Sequence, residues 1–582
     1  MKRKSTQSVR FSSNPVLHAK LPPWRSRFVL FLLFAGFATL MVRALYLQGL
    51  SNEFLQRQGE SRYARTLVLP ASRGKITDRN GVVIASSVPA RAVWAIPEDV
   101  KAPPDKLAEL ANLLGIPLRD LQRKLSNEDK TFVYLKRQLT VETADKVAAL
   151  GLEGIHQQRE TMRYYPEGEM VAHVLGFTNI EDKGQEGIEL AYNSQLAGRA
   201  GSRRVIKDRL GRVVEDVQAV RSPANGHDLT LSIDTRIQYL LFSQLKAAVD
   251  KSKARGAAAV VVDTRTGEIL ALVNLPTYNP NAREGLNGGQ LRNRALTDTF
   301  EPGSTIKPFS IALAMDLGRI RPTSTFDTGN GRMTFFGRSI SDTHGYGVLS
   351  TAGVIEKSSN IGTSLIANLI ENREMWNKYS ELGFGQVPKL DFPGAVAGRL
   401  RPYDRWRPIE KATMAYGYGL SVSLVQMAQA YTVFARNGDM VPLSFLKTDR
   451  EPTPTQVYTP ATARTMRKMM EAVTGAGGTA VQAQVMGYRI AGKTGTARKI
   501  INGAYSTKYV ASFIGLAPAS NPRLVVAVMM DEPTTGSVYG GAVAGPVFSN
   551  VVGGTLRLMG VEPDAPFKSL VVPDVPLMEE VL

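Results

Sequence analysis

Hydrophobic and polar positions divide the chain into three kinds of stretch. Residues 28–42 (FVLFLLFAGFATLMV) carry no charge, and after Arg43 the apolar character resumes through Leu47. The 20 residues of 28–47 would run about 30 Å as a helix, the depth of a hydrocarbon core. Trp24 and Tyr46 stand at its two ends, where aromatic rings favour the interface, and Arg43 is near enough to the far end to snorkel. A cleaved signal sequence is the alternative reading, but no small-x-small cleavage site follows the run. The pattern predicts an uncleaved membrane anchor over 28–48, with 1–27 as a cytoplasmic basic tail and everything beyond 48 on the other side.

From 49 to 225 the pattern is mixed. Residues 73–85 read as a strand, a turn at Asn80-Gly81 and a returning strand. Helical periods recur over 101–125 and 141–150, followed by Arg163-Tyr164-Tyr165-Pro166-Glu167-Gly168 and a basic, glycine-punctuated stretch over 198–204. No nucleophile, base and oxyanion donor come together here. The segment is expected to be a non-catalytic pedestal whose surfaces serve docking.

Residues 226–562 predict a second, larger domain. Residues 229–233 alternate like a strand, and Asp234-Thr235-Arg236 looks like the cap of a helix over 237–249. Two runs of Ala, Val, Ile and Leu at 257–262 and 269–273 form a buried hairpin. Helices are expected over 304–317, 354–369, 408–416, 424–437 and 460–474, then strands over 489–497, 510–516 and 524–530. Strands at both ends of the domain with helices between predict an α/β fold of the α+β type, its one sheet built from both ends and covered on both faces. Residues 563–582 are left as a tail.

Composition narrows the chemistry. There is no cysteine, which removes disulfides, thiolate metal sites and a cysteine nucleophile. The five histidines, His18, His156, His173, His227 and His344, have no ligand spacing, so neither a metal nor any other cofactor is expected. The formal net charge is +19, but seven of the cations (Lys2, Arg3, Lys4, Arg10, Lys20, Arg25, Arg27) sit before residue 28 with no acid among them. The remaining excess is diffuse and carries no nucleic-acid motif.

Three short motifs carry the chemistry. In Glu301-Pro302-Gly303-Ser304-Thr305-Ile306-Lys307-Pro308 the Pro-Gly pair breaks what precedes, so Ser304 should open a largely buried helix, near unpaired N–H groups. Lys307, three residues on, shares a helix face with Ser304 and can serve as its base. The same Ser-x-x-Lys spacing also occurs at Ser72 and Lys75, Ser243 and Lys246, and Ser444 and Lys447, so it is weak alone. Ser358-Ser359-Asn360 comes next: Ser358 could relay a proton and the Asn360 amide could hold a substrate carbonyl. That triplet recurs in the tail as Ser12-Ser13-Asn14, and a plain helix-surface cluster is the bland reading. Lys493-Thr494-Gly495-Thr496 occurs once and opens a strand. Lys493, Thr494 and Thr496 could anchor a carboxylate, Gly495 would leave room for a peptide along the strand edge, and the N–H groups of Ser304 and Thr496 could form an oxyanion hole.

In this order and spacing the three motifs resemble those of the penicillin-binding proteins and serine β-lactamases. The stretches 73–85, 163–168, 416–422 (Tyr-Gly-Tyr-Gly-Leu-Ser-Val), Asp531-Glu532-Pro533 and Tyr539-Gly540-Gly541 extend the likeness over about 40–560, to the class B high-molecular-weight penicillin-binding proteins of Gram-negative bacteria, and within them to the septal D,D-transpeptidases. The resemblance implies a penicillin-binding, serine β-lactamase-like domain that cross-links peptidoglycan. Ser304, Lys307, Ser358, Asn360 and Lys493 would be catalytic, and Ser359, Thr494, Gly495 and Thr496 would bind substrate. Ser304 would attack the bond between the terminal D-alanines of a stem peptide, with Lys307 kept neutral by burial and by Lys493. It also implies β-lactams as inhibitors, the inner membrane as anchor with the catalytic domain in the periplasm, and a separate glycan polymerase and other division proteins as partners. Serine rather than aspartate at the centre of the middle motif speaks against a β-lactamase. A lateral-wall transpeptidase, a D,D-carboxypeptidase and a β-lactam sensor remain the alternatives.

Overall fold

The computed structural model describes residues 22–50, 64–69, 71–126, 130–207 and 213–567. Most of the basic tail, Ser12-Ser13-Asn14 within it, and most of the C-terminal tail lie outside the described residues. Two compact units result, one of 1–71 with 199–224 and one of 72–198 with 225–582.

In the first unit a helix, Pro23–Leu45, runs on through one π-helical turn, Tyr46–Leu50, and none of Pro23–Leu45 is buried. It begins before the expected residue 28 because Pro23 supplies a preset first helical φ. Among the described residues one helix, Pro23–Gln48, is long and apolar enough to cross a membrane. The strands Ala64–Leu69, Gly201–Lys207 and Val213–Arg221 form a three-stranded antiparallel sheet with Gly201–Lys207 in the middle.

The second unit joins 72–198 to 225–582. The hairpin Ile76–Thr77 and Val83–Ala95 forms around Asn80-Gly81 as foreseen, but Ile76–Thr77 also pairs in parallel with Leu229–Thr230. The strand foreseen over 229–233 is therefore only two residues long. Buried Asp78 accepts hydrogen bonds from the Asn80 and Val82 N–H groups at 2.8 and 2.9 Å and from the Thr235 hydroxyl at 2.9 Å. Arg73 and Arg163 both bind the buried Glu189 carboxylate, at 2.7 and 2.6 Å. One continuous apolar core holds Ile76, Ile84, Tyr165, Val171 and Ile188 together with the catalytic sheet. The shared core and the pairing of Ile76–Thr77 with Leu229–Thr230 join 72–198 to the residues beyond 225.

The catalytic sheet is as foreseen. Strands β1 (Gly256–Asp263), β2 (Ile269–Leu275), β3 (Ala491–Ile501), β4 (Ala504–Ala517) and β5 (Leu524–Asp531) run antiparallel in the order β2-β1-β5-β4-β3. Every residue of β1, β2 and β5 is buried, which is why they read as continuous apolar runs. Helix α1 (Thr235–Ser252), capped by the Asp234 carboxylate, packs with the C-terminal helix Gly545–Leu558 on one side, and Leu424–Ala435 lies on the other. β3 is left at the edge, and the site is built along it.

Candidate active site

Ser304 does not start an α-helix directly. It sits in a single 3₁₀ turn, Gly303–Ile306, that runs into α2 (Lys307–Asp316). Gly303 takes φ +53° and donates its N–H to the Gly417 carbonyl at 3.1 Å. A Cβ on Gly417 would come 2.0 Å from the Gly303 oxygen, so the 416–422 strap requires glycine there. Phe309 anchors the helix among Phe384, Tyr431 and Phe434, with ring centroids 5.2–5.7 Å apart. Ser304 is 1% exposed and Lys307 is fully buried.

The middle motif departs from the single helix expected over 354–369. Helix α3 (Thr351–Glu356) stops, Ser358 turns to φ +59°, and α4 (Asn360–Asn368) starts afresh. A serine in that left-handed region is strained by roughly 1–2 kcal/mol. Asp342 holds the break. Its carboxylate accepts from the Ser359 hydroxyl at 2.5 Å and from the N–H groups of Asn360 and Ile361 at 2.6 and 3.1 Å. The Ser359 hydroxyl also caps α4 by accepting from the Gly362 N–H at 2.9 Å. Both bonds of the Ser359 hydroxyl thus support the turn of the motif. Asn360 donates one amide hydrogen to the Ser341 carbonyl at 3.0 Å, while its Oδ1 is buried with no partner among the described residues.

The break puts the Ser358 hydroxyl between two buried amines. Lys307 Nζ donates to it at 3.1 Å and to the Ser358 carbonyl, and Lys493 Nζ donates to it at 2.7 Å. Ser304 Oγ, by contrast, is buried with no hydrogen-bond partner among the described residues. No direct Ser304 to Lys307 hydrogen bond forms among the described residues.

The third motif lies within β3, two residues after its start. The Thr494 hydroxyl meets that of Thr479 at 2.8 Å, and the Gly540 N–H donates to the Thr496 hydroxyl oxygen at 3.1 Å. Gly495 has a reason within the chain itself. A Cβ there would lie 2.9 Å from the Pro302 carbonyl oxygen and 2.6 Å from Ser512 Oγ. The glycine makes room for the nucleophile's own turn. Asp342 and Thr479 escaped the sequence reading, and Gly540 entered it only within the Tyr539-Gly540-Gly541 stretch. For Asp342 the only signal is general: the first N–H groups of a buried helix need an acceptor.

Around the motifs, Glu301 accepts the Gly419 N–H at 2.7 Å, and burial raises its carboxyl above the ordinary range. Beside Asn360 the site opens into a cleft of about 430 Å³ lined by Tyr416, Tyr418, Tyr505, Arg401 and Arg498. Among the described residues no three His, Asp or Glu side chains are gathered to hold a metal.

A buried serine beside two amines bridged by a second hydroxyl, at the edge of an antiparallel sheet, defines a serine acyl-transfer site. Residues 257–553 match the penicillin binding protein transpeptidase domain, and residues 68–231 the penicillin-binding protein dimerisation domain. The chain belongs to the class B penicillin-binding proteins. It is 45% identical over 554 residues to the probable peptidoglycan D,D-transpeptidase PenA of Neisseria gonorrhoeae, covering 94% of this chain and 95% of that one. It is 41% identical over 555 residues to the peptidoglycan D,D-transpeptidase FtsI of Escherichia coli, covering 94% of each. Among solved structures, the transpeptidase domain of Burkholderia pseudomallei penicillin-binding protein 3 matches at TM-score 0.54 and 52% identity, over 58% of this chain and 98% of that one. A Bifidobacterium adolescentis peptidoglycan synthetase matches at TM-score 0.68 and 27% identity, over 87% of this chain and 99% of that one.

Proposed function

We infer that the chain is a serine D,D-transpeptidase that cross-links peptidoglycan stem peptides through an acyl-enzyme on Ser304. The observation that carries this is the Ser358 hydroxyl lying 3.1 Å from Lys307 Nζ and 2.7 Å from Lys493 Nζ, with Ser304, one turn before Lys307, buried and its Oγ without a hydrogen-bond partner among the described residues. Lys307, neutral at that moment, takes the Ser304 proton as Oγ attacks the carbonyl carbon between the two D-alanines. The N–H groups of Ser304 and Thr496 receive the developing oxyanion. Lys307 passes the proton through Ser358 to the amine of the departing D-alanine, and the C–N bond breaks. An amine of a neighbouring stem then attacks the acyl carbonyl, loses its proton by the same route, and frees Ser304. Lys493, with Thr494 and Thr496, anchors the terminal carboxylate. The Asn360 amide holds the donor backbone. β-Lactams, shaped like the D-Ala-D-Ala end, would acylate Ser304 and leave slowly.

The apolar run over 28–47, broken only by Arg43, and the cations before it support a single span of the inner membrane, with the N-terminus cytoplasmic and the catalytic unit periplasmic. The likeness to FtsI supports work at the division septum, beside a separate glycan polymerase and other division proteins. Two measurements test this. Fluorescent penicillin should attach covalently to the full-length protein and not to Ser304→Ala; attachment of both equally would end the acyl-enzyme reading. Cells whose only copy is Ser304→Ala should filament, and rounding instead would move the role to the lateral wall.

A further inference from the structure

A second cavity, of about 570 Å³, takes no part in the acyl transfer. Its walls come from residues 173–190, inside the dimerisation-domain match, and from 278–297 and 392–394, inside the transpeptidase match. All of them belong to the second unit. Small-molecule sites run to about 300–1,000 Å³ and favour such junctions between domains.

The walls are fixed and, with one exception, electrically settled. The Tyr278 hydroxyl donates to the Ala172 carbonyl at 3.0 Å, the Asn293 amide to the His173 carbonyl at 3.1 Å, and His173 Nε2 to the Gln290 carbonyl at 2.7 Å. Burial lowers the His173 ring to about 4, so it is neutral at working pH. The Arg292 guanidinium is engaged by Asp298. Leu190, Leu291 and Phe392 add apolar surface. Glu186 is the exception. It stands at the open side, and among the described residues no hydrogen bond or ion pair reaches its carboxylate. Partial burial alone acts on it and raises its carboxyl above the ordinary range. The Tyr278 phenol is pushed up first by burial and next by the Glu186 charge, which places that charge beside the cavity's aromatic wall. A carboxylate that has lost water and gained no partner is stabilised by an arriving cation.

We propose that this cavity binds a small organic cation, a primary ammonium group on an apolar stem or ring, with the ammonium on Glu186 and the apolar part against Leu190, Leu291 and Phe392. The site goes beyond the transpeptidase reading and does not rest on it.

The test uses full-length protein in detergent and two probes of nearly equal shape, phenethylamine as its ammonium chloride and the neutral phenethyl alcohol, titrated by saturation-transfer NMR. The ammonium should bind with Kd on the order of 1 mM and about fivefold more tightly than the alcohol, the yield of a partly open ion pair. Protein whose Ser304 is already acylated by penicillin should bind it equally well. Glu186→Gln should lose the preference for the ammonium, and Glu186→Lys should abolish ammonium binding while sparing the alcohol. Glu186 has no bond to lose, so both variants should take fluorescent penicillin like the wild type. The proposal is overturned if the wild type shows no saturable ammonium binding below about 10 mM, if it binds the two probes equally, or if the preference survives Glu186→Gln. Loss of binding on acylation of Ser304 would also overturn it, by placing the amine in the catalytic site. Failure of Ser304 to take penicillin would strike the transpeptidase reading alone, and the comparison of the two probes would still decide the cavity.

Discussion

Gly495→Ala asks whether β3 and the nucleophile's turn are as tightly joined as their backbones indicate. The added Cβ would stand 2.6 Å from Ser512 Oγ, 2.9 Å from the Pro302 carbonyl oxygen and 2.9 Å from Thr305 Cγ2. Comfortable contact begins at about 3.5 Å, so each neighbour must yield by roughly 0.5–1 Å. The Ser512 hydroxyl can turn aside, but the Pro302 carbonyl is tied. It accepts the Thr305 hydroxyl at 2.7 Å, and the next residue, Gly303, donates to Gly417 at 3.1 Å. The turn that bears Ser304 must move with it. Overpacking of this kind costs about 1–3 kcal/mol, and a reacting atom displaced by about 1 Å loses about 100-fold in rate. Gly495→Ala should therefore lower Tm and take fluorescent penicillin about 100-fold more slowly. Gly515→Ala is the control, since its Cβ would meet Phe548 Cζ at 2.7 Å and Phe513 Cε1 at 3.0 Å, in the core of the same sheet. It should lose stability and keep its acylation rate. A folded Gly495→Ala that acylates like the wild type, or a Gly515→Ala slowed as much, would refute the reasoning.

Asp342→Asn keeps the side-chain shape but removes the charge that gathers the Ser359 hydroxyl and the Asn360 and Ile361 N–H groups. A loss of about 1.5–3 kcal/mol in denaturant unfolding and slower penicillin attachment are expected, and unchanged stability would contradict its capping role. Ser358→Ala and Ser358→Gly both remove the hydroxyl shared by the two lysines and should both slow attachment by about 10² to 10⁴. Only the glycine suits φ +59°, so it should be the more stable of the two by about 1 kcal/mol; equal stabilities would mean that the turn carries no strain. For Glu532, burial alone would raise the carboxyl, but bonds from Lys499, Lys508 and Arg255 hold it down at about 2. A depressed carboxyl stabilises above its unfolded value and ceases to as pH falls through the folded one. The Tm deficit of Glu532→Gln should therefore be full at neutral pH and fade toward about pH 2, whereas a pH-independent deficit would show that charge is not its cause.

The sheet was legible because burial on both faces leaves a plain trace. Ala257 to Val262 and Leu524 to Met530 have no polar alternation to confuse with a surface strand. The meeting of Lys307 and Lys493 at Ser358 was foreshadowed by the order of the three motifs, with Pro302-Gly303 and Gly492 marking where backbone must turn or crowd. The break at Ser358 was not. Val354, Ile355, Ile361 and Ile366 are all buried and keep a helical spacing through the motif, so periodicity reads one helix where there are two. Asp342 is 17 residues from Ser359 in a glycine-punctuated loop, where a lone acid ordinarily faces water. The buried ion cluster was hidden for the same reason: Arg73 and Glu189 are 116 residues apart, and nothing local tells a buried pair from two exposed charges.

These omissions share a cause, and it bears on how the site works. What the motifs fix is the identity of the reacting groups; what they omit is the set of acceptors that hold those groups in costly conformations. Ser358 adopts a backbone that a non-glycine residue avoids, and only there does its hydroxyl reach both Lys307 and Lys493. The strain, roughly 1–2 kcal/mol, is offset locally by the three bonds that converge on Asp342, since charge-assisted bonds contribute about 1.5–3 kcal/mol each. On the proposed mechanism, the proton path would thus depend on a carboxylate whose bonds go to Ser359, Asn360 and Ile361 and not to Ser358 or the lysines.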